Sequence, residues 1–318
     1  MFRPRGSSDE RPSFRPRTSS SSARPAFKPR TSSDARPFPS KPRLKITVAP
    51  ATLVKKVSKR AKVEAEEIKN APGIETSGKI RLNKFISNAG ISSRRKADEL
   101  ITQGAVTVNG KIVTELGVQV RAYEDLVTVN GETISLRPRF LYILLNKPKD
   151  TITTTDDERD RKTVMDYVAT TDRIYPIGRL DRNTTGVLLL TNDGELTNRL
   201  THPSFEIERE YHVTLDKRLD REDAKRIAEG GINLGEGDIT GKAELAVAED
   251  NPKDVVLLLR EGKNREVRRI FETLGYEVEK LDRTSFAGIT HRGMSRGESR
   301  PLSNPELHRL RKLAGIEE

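Results

Sequence analysis

The sequence predicts an α+β protein in three parts: a disordered basic arm, a small unit of two helices and a twisted sheet, and a larger body around a mixed, largely antiparallel sheet. Three observations predict this. Residues 1–75 carry 18 Lys and Arg against 7 Asp and Glu, while residues 76–318 carry 40 of each. Between residues 79 and 137, two short helical periodicities lead into two Val-Thr-Val-Asn-Gly hairpin signals. Beyond residue 140, alternating and continuous apolar runs of strand length are interspersed with amphipathic helices, the pattern of an α+β domain.

The arm comes first. The unit Arg-Pro-x-Phe-(Arg/Lys)-Pro-Arg-Thr-Ser-Ser occurs at 11–20 and again at 24–33. Prolines recur too often for a helix or an interior strand, and the few Phe residues bury too little surface to offset chain entropy. Residues 1–76 therefore read as a disordered basic arm and linker, with room for a short charged helix near 51–70. The charge suits an arm that tracks phosphates and raises affinity for RNA. The alternatives are a solubilising tail and a cleaved transit peptide. Asp9, Glu10 and Asp34 and the lack of an amphipathic pattern count against the last.

The small unit occupies residues 79–137. Leu82, Phe85, Ile86 and Ala89 fall at i, i+3, i+4 and i+7, one face of a helix that Gly90 stops. A second helix starts with Ser92 as its N-cap, turns Ala97, Leu100 and Ile101 inward, and closes at Gly104. The two hairpins turn on Asn109-Gly110 and Asn130-Gly131. Lys79, Arg81, Lys84, Arg94, Arg95 and Lys96 occur without an acid among residues 79–97. On two antiparallel helices they form a cationic ridge suited to phosphates, where a chance solvated face would be mixed in sign. The stretch "IRLNKFISNAGISSRRKADELITQGAVTVNGKIV" resembles the alpha-L (S4-like) RNA-binding module. That resemblance implies RNA binding and no particular reaction.

The body spans 140–315, after a link at Leu136 to Arg139. "FLYILLNKPKD" reads as a buried strand ending at a Lys-Pro turn, and "TVMDYV" as a short helix. Val187 to Leu190 form a continuous apolar strand buried on both faces. Asp193-Gly194 turns into the helix "ELTNRL", and "EREYHVTL" alternates as a strand. "REDAKRIAEGG" is an amphipathic helix stopped by Gly230-Gly231, "GEGDITG" a hairpin loop, "AELAVAE" and "DVVLLLREG" strands, and "REVRRIFETLGY" a helix. A last helix has Asn304 as N-cap with Pro305 at its first position.

Several chemistries are excluded. With no cysteine there are no disulfides, no thiol catalysis and no cysteine-held metal centre. His202, His212, His291 and His308 are scattered and offer no close ligand pair, so no metal is expected. "NDGE" resembles part of a calcium loop but lacks its remaining ligands. No run approaches the roughly 20 apolar residues of a membrane helix. On residue types alone, Asp181 in "GRLDRNTTG" reads as a turn-former, because Asp and Asn are ordinary turn residues.

A resemblance reverses that reading. Gly178, Arg179, Leu180, Asp181, Thr184, Thr185, Gly186, Thr191, Asn192, Asp193 and Gly194 are similar to the core signature of the RsuA/RluB-type family of pseudouridine synthases. "LNKPKD" (145–150), "EREYHV" (208–213) and "REGKNREVRRIFETLGYEVEKLDR" (260–283) match further family segments. The resemblance implies isomerisation of a uridine in ribosomal RNA to pseudouridine, with the large subunit favoured by similarity to the RluB-like branch. It implies Asp181 as the aspartate that acts covalently on the nucleotide, Tyr211 as the stacking tyrosine that assists loss of the C5 proton, and Arg268 as the arginine paired with the aspartate. Arg179 matches a residue that fills the gap left by the extruded base. No cofactor is implied. The partner is ribosomal RNA or a pre-ribosomal particle, met by a monomer in the cytoplasm. Where the family often has His-Gln before Val-Arg, this chain has Arg265-Glu266, which leaves the roles of those two positions open. The competing expectation is a non-catalytic ribosome-assembly or RNA-binding factor that retains the fold.

Overall fold

The computed structural model describes residues 78–136 and 139–316. The arm and linker expected over 1–76, the charged helix placed near 51–70, and Arg137 and Pro138 of the link lie outside the described residues.

Strand β1 (Lys79–Arg81) runs directly into helix α1 (Leu82–Asn88), and α2 (Arg94–Thr102) follows. Leu82, Phe85, Ile86 and Ala89 are all buried, as the helical spacing requires, and the first three share a core with Ala97 and Ile101 of α2. Leu100 packs against the same core but is only partly buried. The cap of α2 is Ser93 rather than Ser92. The Ser93 side-chain oxygen accepts from the Lys96 backbone N–H at 3.2 Å, while Ser92 turns inward and gives its hydroxyl to the Ser93 carbonyl. Adjacent serines satisfy the same cap preference, and the buried one is excluded by its contacts. Strands β2 (Val106–Val108), β3 (Lys111–Ile112), β4 (Gln119–Arg121), β5 (Val127–Val129) and β6 (Glu132–Ile134) complete the unit. Four of them form an antiparallel sheet in the order β3-β2-β5-β6, and β4 pairs with β1. Both Asn-Gly turns adopt left-handed φ at each central residue, 51° and 79° at Asn109 and Gly110 and 51° and 83° at Asn130 and Gly131. These are the angles that match a tight turn to the twist of the strands.

The body opens with β7 (Tyr142–Lys147), a 3-10 turn at Val164–Tyr167, β8 (Tyr175–Pro176), β9 (Thr185–Thr191), α3 (Gly194–Thr201) and a second 3-10 turn at Pro203–Phe205. It continues through β10 (Arg209–Leu215), α4 (Arg221–Glu229), the hairpin β11 (Asn233–Gly235) and β12 (Asp238–Ile239), β13 (Glu244–Val247), β14 (Asp254–Leu259) and α5 (Glu266–Thr273). It ends with β15 (Val278–Phe286), β16 (Ile289–Thr290), β17 (Ser299–Pro301) and α6 (Asn304–Leu313). Nine strands form one sheet in the order β13-β14-β10-β15-β9-β7-β17, with β16 on β15 and β8 on β9. Every pairing is antiparallel except β15 with β9, so the sheet is mixed and largely antiparallel.

Strand β9 is buried on both faces for a specific reason. Val187 and Leu189 pack with Leu196, Leu200 and Leu310 from α3 and α6, whereas Leu188 and Leu190 pack with Leu145, Val164, Ile174 and Leu180. Gly186, at the start of the strand, has φ +106°, and a Cβ there would lie 2.2 Å from the Arg283 carbonyl oxygen. Only glycine lets the two parallel strands approach so closely. The Asp193 carboxylate caps α3, accepting from the backbone N–H groups of Glu195 and Leu196 at 3.0 Å each, and it also accepts from the Tyr142 hydroxyl at 2.9 Å. The cap of α6 is Ser303, one residue before the expected Asn304. Ser303 and Glu306 form a reciprocal capping box there, and Arg300 locks Glu306 from the other side. Strand β15 is absent from the sequence-based expectations although it pairs with both β10 and β9.

Candidate active site

The loop between β8 and β9 is held at two points, one on each side of Asp181. The Thr153 hydroxyl donates to the Leu180 carbonyl at 2.7 Å and accepts from the Leu180 N–H at 3.2 Å. Lys147, at the end of β7 and fully buried, points its ammonium into the loop's backbone. It donates to the carbonyls of Asp181 at 3.1 Å, Arg182 at 3.3 Å and Thr184 at 2.8 Å, and to its neighbour Pro148 at 3.1 Å. The Asp181 carbonyl also accepts from the Thr184 N–H at 3.1 Å. Asp181 thus heads a turn, as its residue type suggests. Its carboxylate is left over from that task and lines a cleft.

The cleft has a volume of about 470 Å³ and is lined by Arg179, Asp181, Arg209, Tyr211 and Arg283, among others. A recess of about 70 Å³ shares Arg179, Asp181 and Tyr211 with it and adds Glu266 and Arg268 from α5. Asp181 and its near neighbour Arg179 therefore line one recess with Tyr211 and Arg268, which lie far from them in the sequence. Tyr211 stands on β10 and packs against two of the body's three clusters of buried side chains. Arg268 donates to the Val278 carbonyl at 3.0 Å. Burial and then the nearby Arg265 lower its pKa, while the Asp181 carboxylate raises it. Asp181 and Arg268 are thus electrostatic neighbours, and the guanidinium's direct hydrogen bond goes to the backbone. Arg179 is exposed at the edge. None of the six cationic residues expected to face phosphates lines the cleft or the recess. Lys79 and Arg81 lie on β1, Lys84 on α1, and Arg94, Arg95 and Lys96 in the first turn of α2; all but Lys84 are exposed.

Two comparisons decide the family. A relative named "Ribosomal large subunit pseudouridine synthase B", from Bacillus subtilis (strain 168), is 45% identical over 238 residues, covering 74% of this chain and 96% of its own length. The family profile described as RNA pseudouridylate synthase matches residues 141–273, and the profile of the S4 domain matches residues 80–126. The chain belongs to the RNA pseudouridine synthase family. The synthase is also 41% identical, over 237 residues, to "Dual-specificity RNA pseudouridine synthase RluF" of Escherichia coli (strain K12), covering 74% of this chain and 79% of the relative. A solved structure titled "Crystal structure of pseudouridylate synthase" superposes with a TM-score of 0.54 at 33% identity, over 73% of this chain and 99% of that one.

Residue type alone does not single out the other residues in and behind the synthase's cleft. Lys147 lies in the matching "LNKPKD" segment, and the signal was a lysine closing an apolar strand before proline. Burial pulls its pKa down to about 8, against the raising charges of Asp181 and Asp150. Arg209 and Arg283 lie within "EREYHV" and "KLDR". Glu266, left open by the sequence, is buried in the first turn of α5. Its Oε2 accepts from the Lys263 N–H at 2.9 Å, and burial and the neighbouring Glu261 push its carboxyl up to about 7. Arg265 holds the N-cap position of α5 at a left-handed φ of 48° and reaches Glu272 at 3.2 Å. Among the described residues no group of three or more His, Cys, Asp or Glu could hold a metal ion, and no helix is long and apolar enough to cross a membrane.

Proposed function

We propose that the synthase isomerises one uridine of large-subunit ribosomal RNA, flipping the base into the cleft beside Asp181. The observation that carries this is the meeting of Asp181, Tyr211 and Arg268 at one recess, in a chain 45% identical to a relative named for the large ribosomal subunit. A stacked base cannot be detached and turned, so it must leave the helix at a cost of a few kcal/mol. Asp181 is the nucleophile, Arg268 keeps it ionised, Tyr211 stacks on the uracil, and Arg179 at the edge fills the vacated position. A guanidinium suits the pairing role because it stays charged in a half-buried setting. Lys79, Arg81, Lys84, Arg94, Arg95 and Lys96 hold RNA phosphates. The enzyme works as a monomer in the cytoplasm and draws on no cofactor, since the isomerisation needs neither an oxidant nor a group donor.

The test is a pseudouridine map. Ribosomal RNA from a strain lacking the enzyme is incubated with the purified protein, and one large-subunit uridine gains the mark. If no uridine is converted in any ribosomal RNA, free or in assembling particles, the chain is an RNA-binding factor and the enzymatic assignment fails. A binding measurement examines the cationic segments. Deleting residues 1–75, or changing Arg94, Arg95 and Lys96 to Gln, is expected to weaken RNA binding without moving the modified site. Every phosphate that goes without its cation lowers the slope of log affinity against log salt by about 0.7–0.9. An unchanged salt slope would remove that segment from the RNA interface.

A further inference from the structure

Arg209 and Arg283 line the cleft, and the proposed function gives them no task. They stand on neighbouring strands and share the Phe286 ring, with guanidinium carbons 5.6 Å and 4.7 Å from its centroid. Arg209 is 9% exposed and Arg283 is 3% exposed. Arg209 spends one nitrogen, Nη1, on the carbonyls of Ile207 and Glu261, and Arg283 spends Nε on the Val187 carbonyl at 2.8 Å. Nη2 of Arg283 is buried with no hydrogen-bond partner. The Tyr211 side chain is a neighbour of the Arg283 guanidinium.

Two buried cations outside any ion pair are costly, because backbone carbonyls and a ring replace only part of the hydration each loses. Among the described residues neither is drawn into an ion pair. The groups acting on Arg283 are Tyr211 and Arg209, and the one carboxyl acting on Arg209 is Glu266, whose own pKa is up near 7. Asp181 is the one carboxylate among the residues lining the cleft, against several cations, so the rest of the balancing negative charge comes with the substrate. The RNA backbone is continuous, so its phosphates stay at the rim of the cleft, and only the base enters deeply. Uracil is neutral on arrival. It becomes an anion when the C1′–N1 bond breaks and the electron pair stays with the base, spread over N1, O2 and O4.

We propose that the guanidinium pair of Arg283 and Arg209 stabilises the detached uracil anion through its carbonyl oxygens. The inference rests on the proposed base-flipping reaction. In that reaction an Asp181 carboxylate oxygen bonds to C1′ as N1 leaves with the electron pair. The uracil anion then turns, its C5 forms the new bond to C1′, and the Asp181 oxygen departs with its own pair. The C5 proton is lost to a base and N1 takes up a proton, so the product is an isomer of the substrate. A pair of donors fixed by backbone contacts and ring stacking needs no reorganisation when charge develops, which is where electrostatic catalysis is most effective.

The test uses two RNA hairpins that differ at the target, one with uridine and one with 5-fluorouridine. Fluorine at C5 withdraws electrons and makes the base a better leaving group, so its departure needs less help. Single-turnover consumption of the target nucleoside is followed by nuclease digestion and mass spectrometry, and RNA affinity and the melting temperature are measured alongside. Arg283→Lys is expected to slow uridine consumption about 10²-fold, and 5-fluorouridine consumption less than about tenfold, with RNA affinity within about threefold of wild type. If Arg283→Lys does not fold, Arg209→Lys is held to the same comparison. Equal slowing on both substrates, or an unchanged rate on uridine, overturns the proposal. These results differ from failure of the underlying function, in which wild type itself converts neither RNA.

Discussion

Asp181→Asn is expected to lower the single-turnover rate of pseudouridine formation by about 10⁴-fold or more, while the dissociation constant for the same RNA changes less than about threefold. The substitution removes one oxygen and its charge and preserves shape. The contacts that hold the loop run through the Asp181 backbone: its carbonyl accepts from Lys147 Nζ and from the Thr184 N–H, both at 3.1 Å. An asparagine keeps both, so the loop stays in place and the loss falls on the chemical step. Rapid-quench kinetics with a radiolabelled hairpin, read beside a binding isotherm, separate the two quantities. A variant keeping about a tenth of the wild-type rate would take Asp181 out of the bond-making step, because losing a nucleophile costs far more than that.

What residue type and spacing reveal about this site has a physical limit. The buried face of α1, the Asn-Gly turns and the doubly buried β9 are local patterns, and each follows from spacing over fewer than ten residues. The caps at Ser93 and Ser303 lie one residue from the expected Ser92 and Asn304, because neighbouring polar residues share one preference and only packing separates them. Strand β15 has no clean alternation. Its buried positions are Val278, Leu281, Arg283 and Phe286, and register shifts interrupt its pairing with β10. A strand whose inward face includes an arginine gives no period-2 signal. The meeting of Asp181 with Tyr211 and Arg268 is of another kind. It depends on which strands are neighbours, and no local pattern encodes that β10 and β9 flank β15. Family similarity supplied that pairing at the sequence level, and geometry supplied Lys147, Arg209 and Arg283, whose burial residue type argues against.

Lys147→Met is expected to destabilise the enzyme by about 3–5 kcal/mol and to lower kcat about 10²-fold where the protein is still folded. Methionine fills the volume but donates nothing, and the carbonyls of Pro148, Asp181, Arg182 and Thr184 lose a common charged donor. Buried acceptors without partners are costly, so the loop shifts toward water and carries the Asp181 carboxylate with it. The two effects are read by urea unfolding and by turnover below the unfolding transition. A pH series distinguishes this cause from a general packing defect. In the native enzyme the ammonium titrates at about 8, below its ordinary 10.5. Between those values the unfolded chain holds the proton more firmly, so this group's contribution to stability rises with pH across that window and is lost as pH falls through 8. A neutral amine has fewer hydrogens to share among four carbonyls, so wild-type activity is expected to decline above pH 8 even as this group's stability contribution grows. Lys147→Met should lose both the stability slope and the alkaline decline. If the variant keeps either, the buried ammonium is not what holds the loop under Asp181.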